Sequence, residues 1–397
     1  MMGQIFVNIS LNWYNDYMLS YANYSRKARI IAFLLDIISF PAFFYQRKPE
    51  LKKITKILAI RPDNFGDLLM NVDSLYTLKK KFPESQLHLV TPDWNKNITA
   101  KLPFIDKAFF VNLKWYCFNK EKHISLFKLI KIVRSLRREK YDLFIDFRGD
   151  FRIVFLFGFL SRAKVRRGFK NLGGRFFLND QLIFNREIHF YVQNFKLIEK
   201  FTVERHHFQL SLNKKERDKA EEICGNFDLE TKKFVILHPT VAHYWKVKKW
   251  KDKNFMEIGR HIMSEHHLKI VICSGPLEQE TGNRIARSLP DAINLSGQLK
   301  LFEFAALLTR SLLVISNDSA PMHLAANLGV PLIAVFGPTN FRRSGPYPVG
   351  KHQIAIEGDP DLNRPLFGAK TVDDKYFPET DMVIKKIDRL IKSLIKK

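Results

Sequence analysis

The chain has 397 residues, of which 46% are hydrophobic, and it carries a formal net charge of +25. This length accommodates two ordinary domains, and the composition excludes a low-complexity or disordered protein. The charge predicts a polyanionic partner, such as nucleic acid, an anionic membrane surface or a phosphorylated substrate. The three cysteines lie far apart, which excludes a disulfide framework and a cysteine zinc site and fits a reducing compartment.

Residues 1–50 form an N-terminal extension with a composition of its own. Residues 30–45 are apolar except for Asp36 and Ser39, and cations flank them on both sides. This run is shorter than the roughly 20 apolar residues that span a bilayer. Two interpretations remain open: a helix that lies in the membrane interface, where the cations favour anionic lipid, or a helix packed on its own domain.

After the extension, short apolar strands alternate with helical patterns, which predicts a parallel sheet and an α/β domain over residues 51–205. A polar stretch at about 206–232 is predicted to link it to a second α/β domain that reaches residue 380, and a helix over 381–397 ends the chain. The predicted strands are 56–60, 86–90, 141–147, 234–238, 269–273 and 331–336, and the predicted helices are 68–81, 122–139, 254–266, 301–310, 322–328 and 381–395.

The most informative segment is the strand–helix–strand unit at residues 314–339. Its first strand ends at Asn317, Pro321 lies in the first turn of the helix, and the second strand ends at Gly337-Pro338-Thr339. Open α/β sheets bind ligands at the carboxyl ends of their strands. A helix N-terminus at that edge offers free N–H groups and a positive dipole end, which suit a phosphate.

This segment resembles the donor-nucleotide site of glycosyltransferase family 9, the heptosyltransferase family of lipopolysaccharide core synthesis. The similarity covers roughly residues 54–350 and implies the GT-B fold, with two facing Rossmann-like domains and a central cleft. The matching motifs, in chain order, are Arg61-x-Asp63-x-x-Gly66-Asp67, Lys248-Lys249-Trp250, Ser274-Gly275-Pro276-x-Glu278, Asp318-Ser319 with Met322-His323, and Phe336-Gly337-Pro338-Thr339, with Ala320 where the family usually has glycine.

The resemblance implies two catalytic residues. Asp67 would be the general base that takes the proton from an acceptor hydroxyl. Lys248 would stabilise the leaving diphosphate, and Lys246 competes for that role. From the residues alone, Asp67 could instead cap a helix, and Asp146 and Asp150 are rival carboxylates.

The resemblance also implies a donor site and an acceptor site. Glu278 would bind the ribose, as acidic groups do in dinucleotide folds. Asp318 would bind sugar hydroxyls or cap its helix, and His323 could equally be a structural hydrogen-bond partner. The predicted donor-binding residues are Lys246, Glu278, Asp318, Ser319, Ala320, Pro321, Met322, His323, Gly337 and Thr339. The predicted acceptor-binding residues are Asp63, Arg166, Arg167 and Lys170, with Arg175 nearby, although the basic run could be ordinary surface charge.

The activity implied is inverting transfer of a sugar from a nucleoside diphosphate, most simply ADP-heptose, to a lipid-linked, anionic core oligosaccharide. No metal motif occurs, so we expect metal-independent catalysis with no further cofactor, in the cytoplasm and peripherally on the inner membrane. Two alternatives remain open. One is a nucleic-acid-binding protein, although no RRM or helix-turn-helix pattern occurs and no nucleic acid is expected as a partner. The other is a membrane-associated protein that retains the fold without catalysis.

Overall fold

The computed structural model describes residues 53–114, 123–170, 174–185, 187–347, 350–359 and 373–395. The predicted N-terminal extension, with its apolar run, lies outside them. Contacts between Cα atoms divide the chain into two compact units. The first comprises the described residues up to Glu187 together with Val192–His207, and the second comprises Ile188–Tyr191 and the residues from Phe208 onward.

The first unit is built on a six-stranded sheet whose strands are all parallel. The strand order is β3-β2-β1-β4-β5-β6, so the chain reverses its direction of travel across the sheet between β1 and β4. Ligands bind beyond the carboxyl ends of the strands at such a reversal. The strands are β1 Lys56–Ile60, β2 Gln86–Thr91, β3 Lys107–Phe110, β4 Leu143–Asp146, β5 Val165–Phe169 and β6 Asp180–Leu182.

The helices of this region follow the predicted alternation, with one division. The segment predicted as a single helix over 68–81 forms two helices, because the Asn71 amide donates to the Leu68 carbonyl, three residues back, and so tightens the turn. The helices are α1 Phe65–Leu69, α2 Val72–Lys81, α3 Lys96–Thr99, α4 Leu126–Glu139, α5 Phe151–Ile153 continued by a π-helix Val154–Phe159, and α6 Phe190–Lys196.

The second unit repeats the same topology. Its sheet has the order β12-β11-β10-β7-β8-β9, all parallel, with the reversal between β7 and β10. The strands are β7 Phe234–His238, β8 Lys269–Ile272, β9 Ile293–Asn294, β10 Leu313–Asn317, β11 Leu332–Phe336 and β12 Gln353–Glu357. The helices are α7 Lys214–Asn226, α8 Asp252–His266, α9 Gln279–Arg287, α10 Leu301–Arg310, α11 Ala320–Asn327, α12 Phe341–Ser344 and α13 Thr380–Ile395.

Buried strands form the centre of the hydrophobic core in the second unit. β7, β10 and β11 are buried along their whole length, as expected for parallel strands covered on both faces. The C-terminal helix α13 belongs to this core, since it packs through Val383, Ile387, Leu390 and Ile391. Within the described ranges, no helix combines the length and the hydropathy needed to cross a bilayer.

Candidate functional site

Polar side chains gather at the two topological reversals. We name them the first switch point, formed by Arg61, Asp63 and Asp67 after β1 with Asp146 and Arg148 at the end of β4, and the second switch point, formed by Lys248 after β7, Asp318 after β10 and Thr339 after β11. Each lies within one unit.

Arg61 organises the first switch point. Its side chain is buried, and Nε lies 3.0 Å from Asp63 Oδ2 while Nη2 lies 3.5 Å from Asp67 Oδ1. Nη1 donates to the Phe147 carbonyl, directly after β4. One guanidinium therefore connects the β1–α1 loop to the end of the neighbouring strand, which fixes the position of both aspartates.

Asp63 was predicted to bind the acceptor, and the structure places it between two arginines. Arg148 Nε lies 3.1 Å from Oδ1, and Arg61 is paired with the other oxygen. Its main chain is fixed as well, because Trp94 Nε1 and Asn95 Nδ2 donate to its carbonyl. These contacts are those of a residue that orders the loop carrying Asp67.

The rival carboxylates Asp146 and Asp150 form hydrogen bonds that stabilise the turn after β4 and the start of α5. Asp146 is fully buried and accepts from the backbone amides of Arg148 and Asp150, which closes the turn after β4. Burial raises its pKa to about 6 even though these hydrogen bonds act to lower it. Asp150 caps α5 by accepting from the Arg152 amide, and it is ion-paired with the Arg152 side chain.

Asp67 is the most exposed of these four carboxylates. Its side chain is 30% exposed, compared with 6% for Asp63 and 4% for Asp150. It lies in the first turn of α1, but the cap residue Asn64 makes no side-chain cap hydrogen bond there. Of these four carboxylates, Asp67 is therefore the most accessible to a substrate hydroxyl.

For the basic run at residues 164–170, the structure corrects the predicted acceptor contacts. It forms the buried strand β5, in which Arg166 donates to the carbonyls of Phe177 and Ala163. Arg167 donates to the Leu197 carbonyl and pairs with Asp180 at 2.6 Å. The structure thus gives both arginines a structural role in place of the predicted acceptor contact. Of the predicted basic contacts, Lys170 and Arg175 remain partly exposed.

Lys248 forms the centre of the second switch point. Its Nζ lies 2.7 Å from Asp318 Oδ2, and Thr339 Oγ1 donates to the same oxygen at 2.7 Å. The ammonium also lies 5.1 Å from the centre of the Trp245 ring. Lys248, predicted to be catalytic, and Thr339, predicted to bind the donor, therefore meet at one carboxylate oxygen of Asp318.

The chain reaches this arrangement because Trp250 anchors the loop after β7. Trp250 is buried against Phe255 with ring centres 5.3 Å apart, and its amide donates to Asn317 Oδ1 at the end of β10. The Asp318 amide in turn donates to the Val335 carbonyl of β11. The spacing Lys-x-Trp thus sets the distance from a buried anchor to the ammonium.

Lys246 lies elsewhere. It is exposed and lines a cavity of about 730 Å³ together with Lys249 and Lys251, and neither Lys248 nor Asp318 is among the residues that line it. Lys248 is thus the lysine beside Asp318.

The start of α11 was predicted to bind the diphosphate. Ser319, Ala320 and Pro321 are half-buried at the helix N-terminus, and Ala320 has no left-handed backbone, so its Cβ introduces no strain there. Met322 is a correction, because it is fully buried and its amide donates to the Ser319 carbonyl. Its predicted donor contact is not available in this conformation.

The remaining predicted donor residues differ in accessibility. Glu278 is partly exposed beyond β8, at the end of a short 3-10 helix. His323 is buried, which lowers its pKa to about 4, so the ring is neutral at pH 7. Gly337 packs against the Phe377 ring, and a Cβ there would lie 2.4 Å from it, which accounts for the glycine without a ligand.

Sequence reasoning missed two residues of these sites. Arg148 pairs with Asp63, and Trp245 lies under Lys248, and the sequence analysis assigns a role to neither. A signal existed for Arg148, because the strand that it follows was predicted and parallel strands that flank a reversal share one edge. No comparable signal existed for Trp245.

Comparisons with known proteins agree on one family. The sequence model of glycosyltransferase family 9 (heptosyltransferase) matches residues 129–372. Lipooligosaccharide heptosyltransferase 2 of Haemophilus ducreyi is 26% identical over 302 residues, which cover 72% of this chain and 84% of that protein.

Two solved structures share the fold. The E. coli ADP-heptose lps heptosyltransferase II is 20% identical, with a TM-score of 0.66, over 85% of this chain and 99% of that one. The glycosyl transferase family 9 protein of Veillonella parvula is 21% identical, with a TM-score of 0.70, over 86% and 98%. The two parallel sheets of this chain are therefore of the GT-B class, and because the family model covers more than half of its residues, the chain belongs to glycosyltransferase family 9 and is a glycosyltransferase.

Proposed function

We propose that the chain is an inverting, metal-independent heptosyltransferase that uses ADP-heptose and an anionic acceptor of the lipopolysaccharide-core type. The names of its relatives support the sugar and the acceptor, and the name of the E. coli structure supports the donor. The observation that carries the mechanism is the Lys248–Asp318–Thr339 cluster. We assign donor binding to the second unit and acceptor binding to the first.

The leaving group defines the role of Lys248. When the bond between the anomeric carbon and the diphosphate oxygen breaks, negative charge accumulates on the diphosphate. An ammonium has three donors, and the bond to Asp318 uses one of them. The other protons of Lys248 and the start of α11 can then stabilise the developing charge more than the ground state.

Asp67 supplies the base in this proposal. As the acceptor oxygen attacks the anomeric carbon, its proton passes to the Asp67 carboxylate, and the displaced diphosphate leaves with the bonding electrons. Attack from the side opposite to the leaving group inverts the configuration at that carbon. The exposure of Asp67 and the burial of its three neighbours favour this assignment.

Because Arg166 and Arg167 are buried, we propose that other cations contact the acceptor. Arg148, whose side chain is 44% exposed at the end of β4, and Lys170, which follows β5, are cations that suit phosphates or carboxylates on an acceptor. Asp63 is proposed as a positioning residue, since it pairs with both Arg148 and Arg61.

The test of this function is product formation from a set of donors. Purified protein is first screened for thermal stabilisation by ADP, UDP, GDP and CMP, and then incubated with an acceptor and the heptose or hexose derivative of the nucleotide that binds. We expect ADP to stabilise most, and mass spectrometry to show one added heptose for each ADP released. Preference for another nucleotide would refute the proposed donor. Loss of turnover in EDTA that divalent ions restore would refute metal independence.

We further propose that helix α4 contacts an anionic membrane from the cytoplasmic side. Leu126 and Phe127 are 73% and 77% exposed at its start. Single exposed apolar side chains are common on protein surfaces, but adjacent ones indicate an interaction site. Ile130 is 40% exposed on the same helix, and its other exposed positions are cationic. The one acidic side chain of the helix, Glu139, is paired with Lys56 and Lys107. These exposed cations are Lys128, Lys131, Arg134, Arg137 and Arg138.

Vesicle cosedimentation tests this contact. We expect the full chain to bind vesicles that contain phosphatidylglycerol and to bind pure phosphatidylcholine weakly, because each cation near an anionic surface contributes about 1 kcal/mol. Replacing Leu126 and Phe127 by serine should weaken binding about tenfold, and Val203→Ser, at another exposed apolar position, should not. Unchanged binding of the double variant would assign the membrane contact to another segment.

A further inference from the structure

Helices α8 and α13 carry a cluster of side chains that the transferase sites do not use. His261 and His266 lie on α8, and Asp388 lies on α13 more than 120 residues later. Asp388 Oδ1 lies 2.8 Å from His261 Nε2 and 2.6 Å from His266 Nε2. Two imidazole nitrogens therefore approach one carboxylate oxygen from two directions.

The geometry of the cluster suits a metal ion. One ligand atom from each residue lies within 4.8 Å of the other two, and the ring planes of the histidines are inclined at 73° with centres 5.8 Å apart. Zinc is bound at about 2.0–2.2 Å by imidazole nitrogen and carboxylate oxygen, so ligand atoms around one ion are separated by about 3.3–3.6 Å. Small side-chain rotations would open the present contacts to those distances.

Partial burial is the second favourable feature. The side chains of His261, His266 and Asp388 are 23%, 10% and 31% exposed, so the rings are held by packing while one side stays open to water.

We propose that these three residues bind a divalent transition-metal ion of the zinc class and that the ion cross-links α13 to α8. Two imidazoles and one carboxylate favour Zn²⁺, Co²⁺ or Ni²⁺ over Mg²⁺ and Ca²⁺, which prefer oxygen ligands. Water completes the coordination on the open side. The ion stabilises the fold of the second unit, because it adds a cross-link to a helix that packs there through its apolar face.

The ligands lie on helices, whereas Lys248, Asp318 and Thr339 lie on loops at the carboxyl ends of strands. The metal proposal therefore does not depend on the proposed transferase mechanism, and the two can fail separately. It is also compatible with catalysis that needs no metal, provided that activity is measured where the metal-free protein is folded.

Titration of tag-free, metal-stripped protein with Co²⁺ and Zn²⁺ tests the site. We expect one ion per chain with micromolar affinity, visible absorption bands of bound Co²⁺ that Zn²⁺ abolishes, and a rise in Tm of at least about 4 °C at saturating Zn²⁺. Each of His261→Ala, His266→Ala and Asp388→Asn should lower the affinity at least tenfold. His352→Ala, a partly buried histidine of the same unit, should leave it unchanged.

Far-UV circular dichroism and a cooperative thermal transition verify that each variant is folded. Two results would overturn the proposal: no stoichiometric binding of either ion by the native chain, or binding that persists in all three ligand variants. The first would identify the cluster as hydrogen bonds only, between two imidazoles and one carboxylate. The second would place the ion on other residues.

Discussion

The two switch points occupy the same place in two copies of one topology, yet their side chains are of opposite character. In the first, aspartates are held by arginines, and one carboxylate stays accessible. In the second, an ammonium is paired with an aspartate, whose carboxylate also accepts a hydrogen bond from a threonine. The fold therefore determines where a site forms, and the residues at the strand ends determine whether it accepts a proton or stabilises an anion.

The largest expected effect comes from removing the accessible carboxylate. Asp67→Asn should lower kcat by about a thousandfold, because general-base assistance contributes roughly 10²–10⁴-fold. The affinity for ADP should change less than threefold, since the donor is assigned to the other switch point. Steady-state kinetics and calorimetric ADP titration measure the two quantities.

Asp150→Asn is the matched control, because asparagine retains the ability to cap a helix. We expect its kcat to remain within fivefold of the native value. A variant of Asp67 that keeps native turnover, or a variant of Asp150 that loses it, would move the base to another carboxylate.

The second switch point should respond in both binding and rate. Lys248→Ala should lower kcat/KM by two to three orders of magnitude, because a charge that stabilises the leaving group is worth about 3–4 kcal/mol. It should also weaken ADP binding. Lys246→Ala, two residues away in the sequence and lining a cavity that Lys248 does not line, should change kcat/KM less than threefold. Equal losses in the two variants would contradict the distinction between these lysines.

The next prediction distinguishes, within the first unit, a cation that stabilises the fold from a cation that contacts the acceptor. Arg167→Ala should lower the free energy of unfolding by about 3 kcal/mol, because it takes the closest partner from the partly buried Asp180 and removes the side-chain donor to the Leu197 carbonyl. Urea denaturation measures this loss. Lys170→Ala should leave stability within about 0.5 kcal/mol and raise KM for an anionic acceptor. A stable Arg167 variant with a raised acceptor KM would restore the original prediction for the basic run.

The smallest effect distinguishes a structural carboxylate from the catalytic one by its pH dependence. Burial alone would raise the pKa of Asp142, but hydrogen bonds from Lys164, Thr55 and Lys56 lower it to about 2. The ionised Asp142 carboxylate therefore stabilises the folded chain. This contribution is fully present above the pKa of an unfolded aspartate, about 3.9, and is lost as the pH falls through the pKa of Asp142 in the folded chain.

Asp142→Asn should therefore lower the free energy of unfolding by about 2 kcal/mol at pH 7, and the difference from the native chain should vanish near pH 2. Denaturation at a series of pH values measures it. A difference independent of pH would assign the effect to packing, and turnover of the folded variant should stay native.

The sequence predicted the strands whose apolar runs end in glycine, proline or polar loops, such as β1, β7 and β11. It did not predict β5, because Arg166 and Arg167 interrupt the apolar pattern. Their charges are tolerated in a buried strand only because carbonyls and a carboxylate from Ala163, Phe177, Leu197 and Asp180 surround them. Such compensation is visible only once distant segments are in contact.

The candidate sites show the same limit. Short motifs placed Asp67, Lys248, Asp318 and Thr339 at strand ends, since motif and strand are adjacent in the chain. The burial of Met322 and the pairing of Asp63 with Arg148 depend on contacts that no local pattern records. The same holds for the cluster of His261, His266 and Asp388, whose members lie on two helices far apart in the sequence.

The configuration of the product tests the central claim most directly. Nuclear magnetic resonance of the product formed from ADP-heptose and a core-type acceptor reports the new glycosidic bond. The proposed displacement, with Asp67 as base and Lys248 at the leaving diphosphate, predicts an anomeric configuration opposite to that of the donor. Retention of the donor's configuration, or release of ADP without transfer to the acceptor, would contradict it.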